Sequence, residues 1–290
     1  LKIFVRNKQI ANNQMISVII STYNRPEALR LVLLALNQQD VKAFEVIVAD
    51  DGSTNETKRV IESLKIKASY TLSHVWHKHS DFKAAQIRNK SVANAAGDYL
   101  IFLDGDSIPQ TSFIRRHQKL AENSYFVAGN RILLSSAFTN HVLQKQLPLQ
   151  QWSAWRWFKV FCFGCINRFL PVLSLGGKYW RYLRRTRWRG VKTCNLGMWK
   201  KDFFAVNGFD ESYSGWGYED SDLAIRLIRN KILRKDGHFA APVFHLWHPE
   251  NSRSREPINY QKLKEIESST RIRATIGVDQ YIPYSSHSDL

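Results

Sequence analysis

Acidic residues are what this chain is short of. Against 42 Lys and Arg it has 25 Asp and Glu in 290 residues, a formal charge of +17 and a pI near 9.9. That balance implies an anionic partner: nucleic acid, an acidic membrane surface or a phosphorylated substrate. Cysteine is scarce and odd in number. Cys162, Cys165 and Cys194 make no disulfide framework and fit a reducing compartment. Cys162 and Cys165 have CxxC spacing, but no second pair completes a zinc site. Long hydrophobic runs are missing as well. Val160 to Gly176 is interrupted by Asn167, Arg168 and Pro171 and falls short of the roughly 20 apolar residues a spanning helix needs. Residues 1–20 lack a hydrophobic stretch followed by a small-residue cleavage site. The expectation is a soluble or peripheral, cytoplasmic protein. Neither GxGxxG nor GxxxxGK[ST] occurs, so a dinucleotide fingerprint and a phosphate-cradling P-loop are unsupported. No internal repeat is visible.

Hydrophobic residues make up 44% of the chain and aromatics 12%, with nine Trp. This suffices for one large domain or two small ones. The first half alternates strand and helix patterns. Ile16–Thr22 is a β-branched strand that breaks at Tyr23-Asn24-Arg25-Pro26. Glu27–Gln38 carries Leu29, Val32, Leu33 and Leu36 at helical spacing, and Phe44–Ala49 is a buried strand ending in Asp50-Asp51-Gly52-Ser53. Ser53 or Thr54 is placed to cap the helix bearing Val60, Ile61 and Leu64. Tyr70–His77 reads as a third strand and Ala84–Ala96 as a helix closed by Gly97. Tyr99–Leu103 is then a strand ending in Asp104-Gly105-Asp106. The alternation predicts a parallel sheet, with three strand ends presenting Thr22-Tyr23-Asn24, Asp50-Asp51 and Asp104-Gly105-Asp106 at one edge. Two carboxylates one glycine apart suit a hard divalent cation shared with substrate phosphates; taken alone, they equally suit a turn.

Beyond residue 110 the pattern loosens. Phe126–Leu134 is one more strand candidate, and Thr193–Lys201 a short strand and turn. The acidic Gly215-Trp216-Gly217-Tyr218-Glu219-Asp220-Ser221-Asp222 opens a helix with Leu223, Ile225, Leu227 and Ile228. Ala240–Leu246 is the last strand, running into His245-Leu246-Trp247-His248-Pro249. A helix over about Ile258–Thr270 and a loose tail follow.

In order along residues 16–250, six motifs together resemble the inverting nucleotide-sugar glycosyltransferases of family 2, of GT-A fold. They are Ser17–Arg25, Val48–Ser53, Arg88-Asn89, Asp104-Gly105-Asp106, Asn207-Gly208-Phe209-Asp210-Glu211 and Glu219-Asp220. Gly215–Asp222 is also similar to the acceptor-side motif of β-1,4-galactosyltransferases and bacterial chondroitin-type polymerases. Two positions depart from the family pattern: Lys90 follows Arg88-Asn89, and Asn207-Gly208 stands for the commoner Gly-Gly.

The resemblance implies an α/β, Rossmann-like, mostly parallel sheet flanked by helices. It would run over residues 16–250, after an arm at 1–15 and before a C-terminal helical tail at 251–290. Within it, residues 16–110 form the nucleotide-binding half and 111–250 the acceptor half. It implies a UDP-sugar donor and Mn²⁺ or Mg²⁺. Asp106 would bind the metal, with Asp104 on the ribose or a metal-bound water, and His248 or His245 supplying a further ligand. Asp220 would be the catalytic base and Glu219 a hydrogen-bond partner of donor sugar or acceptor. Asp51 would accept from uracil, with Thr22 and Tyr23 lining the base and Asn24 and Arg25 beside them. Lys83 and Arg88 would approach the diphosphate, Asn195 would contact donor or acceptor, and Trp216 would stack on a sugar. Blander readings stay open: Tyr23 as a core aromatic, Arg25, Lys83 and Arg88 as surface charges, His245 and His248 as half-buried rings beside Trp247, Trp216 as a structural aromatic, and Glu219, Asp220 and Asp222 as a solvated helix start.

Residues 151–192 interleave Trp152, Trp155, Trp157, Phe158, Phe161, Phe163, Phe169, Tyr179, Trp180, Tyr182 and Trp188 with Arg and Lys. Such a mixture favours an anionic membrane surface. The expectation is therefore a peripheral protein on the inner face of a bacterial membrane, with a lipopolysaccharide- or capsule-type glycan or glycolipid as acceptor and no nucleic-acid partner. Nucleic-acid stacking and a folded acceptor-binding insert are the competing explanations. The rival functions are a sugar-1-phosphate nucleotidyltransferase, which would carry a Gly- and Arg-rich loop where Thr22–Pro26 stands, and a non-catalytic binding module.

Overall fold

The computed structural model describes residues 15–173, 179–250 and 252–282. The arm at 1–15 lies outside the described residues apart from Met15, as does the end of the tail at 283–290. The first seven elements are β1 (Ile16–Thr22), α1 (Pro26–Asn37), β2 (Phe44–Asp50), α2 (Asn55–Lys65), β3 (Thr71–Trp76), α3 (Ala84–Ala93) and β4 (Tyr99–Asp104). Their strands pair in parallel in the order β3-β2-β1-β4. Both faces of β1, β2 and β4 are covered, which is why they read as apolar runs, whereas β3 is a partly exposed edge strand. Val18, Ile20, Val46, Val48 and Ile101 face one core cluster with α1 and α2. Ile19, Ile47, Leu100 and Phe102 face the other with α3.

The second half adds β5 (Ser107–Pro109), α4 (Phe113–Leu120), β6 (Tyr125–Ala128), β7 (Arg131–Leu133), α5 (Ser136–Lys145), α6 (Ala154–Cys162), β8 (Asn195–Trp199), α7 (Lys200–Ala205), α8 (Glu219–Arg229), β9 (Leu233–Asp236), β10 (Val243–His245) and α9 (Glu256–Ser268). The large sheet continues β4-β8-β6-β9, with β8 antiparallel to both neighbours. A second sheet, β5-β10-β7, packs into the first core cluster.

Four local expectations change. The strand expected over Phe126–Leu134 splits at Gly129 into β6 and β7, which belong to different sheets. Gly129 lies against the Asn195 side chain, where a Cβ would sit 2.2 Å from Cγ, so the backbone can pass only as glycine. Neither Ser53 nor Thr54 caps α2 with its side chain; Asn24 Oδ1 accepts from the Thr54 N–H instead. Helix α3 ends at Ala93, and Gly97 serves a close approach to β1, where a Cβ would meet Ser17 Oγ at 2.5 Å. The expected C-terminal helix is α9, which packs on α8 through Leu263 and Ile266, but the segment after it is not loose over the described residues: Val278 joins the second core cluster and Tyr281 OH donates to Glu211 Oε2.

The basic aromatic segment is part core and part surface. Trp157 is fully buried and stacks on Phe244 of β10 with centroids 3.8 Å apart. Trp152 packs between Phe138 and Trp157. The remaining aromatics of α6 face outward. No helix among the described residues is long and apolar enough to cross a membrane.

Candidate active site

The parallel register sets Ser21 opposite Asp104 and Thr22 opposite Asp50, so three acid- or hydroxyl-bearing strand ends share one edge. Beyond β4, the Gly105 N–H donates to Ser21 O at 2.8 Å. A Cβ on Gly105 would come within 3.0 Å of Thr22. The chain then enters β5, which is antiparallel to β10 with Ser107 opposite His245, and the Leu246 N–H donates to Asp106 O. Trp247 is held by its N–H on Thr139 Oγ1, leaving His248 over Asp106. Pairing across the small sheet therefore unites carboxylate and imidazoles that are distant in sequence.

Asp106, His245 and His248 offer ligand atoms within 4.8 Å of one another. The two Nε2 atoms lie 3.5 Å from Asp106 Oδ1 and Oδ2 respectively. Oδ1 is buried with no hydrogen-bond partner. His248 Nδ1–H donates to the Pro249 carbonyl at 2.6 Å, which fixes the ring with Nε2 turned toward the carboxylate. Burial and the nearby Arg131 pull His245 down to about 4, which keeps that ring neutral. Two imidazole nitrogens gathered at a carboxylate suit a shared cation, and that donor set fits Mn²⁺. Arg25 Nη1 lies 2.5 Å from Asp106 Oδ2 and Nη2 bonds Trp247 O, partly balancing the charge. Asp104 stands outside this group, 3.8 Å from Arg88 Nη2, and burial followed by repulsion from Asp106 raises its pKa.

Arg88 is buried and ties the halves of the cleft together. It donates to Ser21 Oγ at 2.8 Å and to Glu219 Oε1 at 3.1 Å. Burial and the adjacent Asp220 push Glu219 up to about 7 against the pull of Arg88. Asp220 differs: Oδ2 accepts from the Thr193 N–H at 3.1 Å, while Oδ1 has no partner. Both carboxylates lead α8, where the helix dipole favours negative charge.

These residues line one cleft of about 760 Å³, with Thr22, Tyr23, Arg25, Asp51 and Trp216. At its far end Asp51 is held by His77 Nε2 at 2.6 Å and by the Lys83 N–H at 2.9 Å, and Tyr23 stacks on His79. Trp216 lies between Gly215 and Gly217 (φ +72° and +107°), under the Arg253 guanidinium. Asn259 of α9 clamps that loop by donating to Ser214 O and Trp216 O.

Three expected contacts are not among the cleft-lining residues. Asn195 is buried, its amide spent on Asn130 O and Ala241 O and its Oδ1 on His117, so it joins elements rather than meeting ligand. Asn24 supports α2, and Lys83 contributes its main-chain N–H. Other residues were not foreseen. His77 and His79 follow β3 without any motif, and only tertiary packing brings them to Asp51. Arg131 lines the cleft from β7; a cation within an apolar strand was the available signal. Asn207 takes φ +61°, a left-handed conformation that asparagine tolerates best among non-glycine residues, which accounts for Asn-Gly in place of Gly-Gly.

The chain matches Glycosyl transferase family 2 over residues 17–186 and the N-terminal domain of galactosyltransferase over 176–244. It is 25% identical over 310 residues to the chondroitin synthase of Escherichia coli, covering 92% of this chain and 42% of that one. It is 30% identical over 274 residues to the glycosyltransferase YfnE of Bacillus subtilis (strain 168), covering 83% and 67%. Among solved structures, GalNAc-T7 with UDP, GalNAc and Mn²⁺ superposes with a TM-score of 0.60 at 12% identity, covering 87% of this chain and 48% of that one. That likeness shows the GT-A fold. With more than half its length under the first match, the chain belongs to glycosyl transferase family 2.

Proposed function

We propose that the protein transfers a sugar from a UDP-sugar to a hydroxyl of a bacterial surface glycan or glycolipid, with inversion at the anomeric carbon. The observation that carries this reading is that one cleft is lined both by the Asp106–His245–His248 group and by Asp220, whose Oδ1 has no hydrogen-bond partner. The family membership and the UDP and Mn²⁺ of the solved neighbour support it.

Asp106, His245 and His248 would hold Mn²⁺ or Mg²⁺, which when bound supplies positive charge against the diphosphate leaving group. Asp220 takes the proton from the acceptor hydroxyl, whose oxygen bonds the anomeric carbon as the bond to the β-phosphate breaks and UDP leaves with the electron pair. Thr193 fixes the orientation of that carboxylate. Arg88 holds Glu219 toward the sugar, while Asp51 and Tyr23 receive the base. Arg25 and Arg131 line the same cleft as cations for the diphosphate.

The test is UDP release over a panel of UDP-sugars, with Mn²⁺ and with EDTA. Release with at least one sugar, lost in EDTA and in Asp106→Ala, is the expected result. Absence of release from every sugar in the presence of acceptor glycans overturns the reading.

A further inference from the structure

From Asn123 to Lys201 the sequence contains no Asp or Glu. Within that acid-free tract, α6 buries Trp157 fully and Val160 in part against the core. Trp155 stacks on Phe158, and Phe158 and Phe161 both pack on Phe169, a contiguous aromatic cluster on the outside of the molecule. Phe163, at the end of the helix, is 83% exposed and Leu170 63% exposed. Exposed cations border the cluster: Arg156 and Lys159 on α6 and Arg168 in the turn after it. Arg184, Arg185 and Arg187 follow further along, without a carboxylate partner among the described residues. A soluble surface rarely leaves so many large apolar side chains together unless something covers them.

We propose that this face, centred on Trp155, Phe158, Phe161, Phe163 and Leu170, docks on an anionic phospholipid bilayer. Charge complementarity selects that occupant, since aromatic rings prefer the headgroup boundary and the flanking cations meet anionic lipid. Nucleic acid fits less well. Its single strands bind in grooves, whereas these rings cover the outer side of a helix and are continuous with aliphatic Leu170. The face is also coupled to the cleft. Ile166 bridges to Leu134 and Asn167 bonds Leu133, and both leucines line the cleft wall. The docked protein would therefore hold one wall of its cleft close to lipid.

The experiment is flotation of the full chain with vesicles of phosphatidylcholine alone, and with about a quarter phosphatidylglycerol added. Wild type should float with the anionic vesicles, and raised salt should weaken that binding. The combined variant Trp155→Ser, Phe158→Ser, Phe161→Ser and Phe163→Ser should lose binding at all salt concentrations. The variant Arg156→Gln, Lys159→Gln and Arg168→Gln should partition roughly 10-fold or more weakly and lose its preference for anionic lipid. Unchanged circular dichroism and thermal midpoint show that each variant is folded. Equal flotation of wild type and the serine variant overturns the proposal. So does a wild-type dimer, dissolved by the serine substitutions, with no lipid binding, or tight binding of single-stranded RNA without vesicle binding. The readout is partitioning, so its failure would leave the reading of the cleft untouched.

Discussion

The adjacent carboxylates at the head of α8 have different partners. Glu219 is held by a buried guanidinium, whereas one carboxylate oxygen of Asp220 is buried without a hydrogen-bond partner. Asp220→Asn should preserve that geometry while removing the proton acceptor. Transfer should fall by roughly 100-fold or more, with UDP affinity within about 2-fold of wild type, as read by steady-state kinetics beside calorimetric titration. A mutant as fast as wild type would remove Asp220 from the mechanism. Arg88 is a different case. Replacing it by Gln leaves Glu219 and Asp104 without compensation and should cost about 3 kcal/mol in urea unfolding. Adding Glu219→Gln should recover part of that loss, and no recovery would show that the two groups are uncoupled. At this scale the sequence supplied Asp106, Asp220 and the two histidines as candidates. It misread Asn195, whose amide looks the same in a line of letters whether it meets a ligand or three neighbours in the core.

Among elements, α9 and α4 do what their sequences do not announce. Helix α9 reaches back to hold the Gly215–Tyr218 loop through Asn259, so Asn259→Ala should raise the acceptor KM by about 3- to 10-fold, with donor KM little changed. An equal rise in both would mean that the loop serves the donor. Helix α4 buries His117, whose Nε2–H donates to Asn195 Oδ1, and burial lowers its pKa to about 4 from 6.5. The folded state thus prefers the neutral ring. Its contribution is complete above pH 6.5 and is lost as pH falls through 4, about 3 kcal/mol in all. Urea midpoints measured across that window should show His117→Gln with a shallower decline than wild type; parallel curves would exclude the ring as the cause. The β-α alternation up to Asp104 was legible because β1, β2 and β4 are buried on both faces and α1 and α2 pack on them through apolar residues at helical spacing. Beyond it the strands are short, and Gly129 moves the chain between sheets on account of a neighbour 66 positions away, Asn195.

As a whole, the molecule is two core clusters pressed on a seven-stranded sheet, with a small sheet that closes over the strand ends. Ligands that bind only this assembled form should stabilise it. Mn²⁺ with UDP, each at about 100 times its Kd, should add on the order of 3 kcal/mol or more to unfolding. In Asp106→Asn the thermal shift with Mn²⁺ should disappear, and a shift of wild-type size would place the ion elsewhere. The sequence by itself determined the charge excess, the buried parallel strands and the acids at their ends, because burial periodicity and local turn chemistry act over a few residues. Only the tertiary structure decided that His245 and His248 meet Asp106, that His77 steadies Asp51, and that Trp157 is core while Trp155 faces out. Those pairings depend on cross-strand register and helix rotation, which no local pattern of residues specifies.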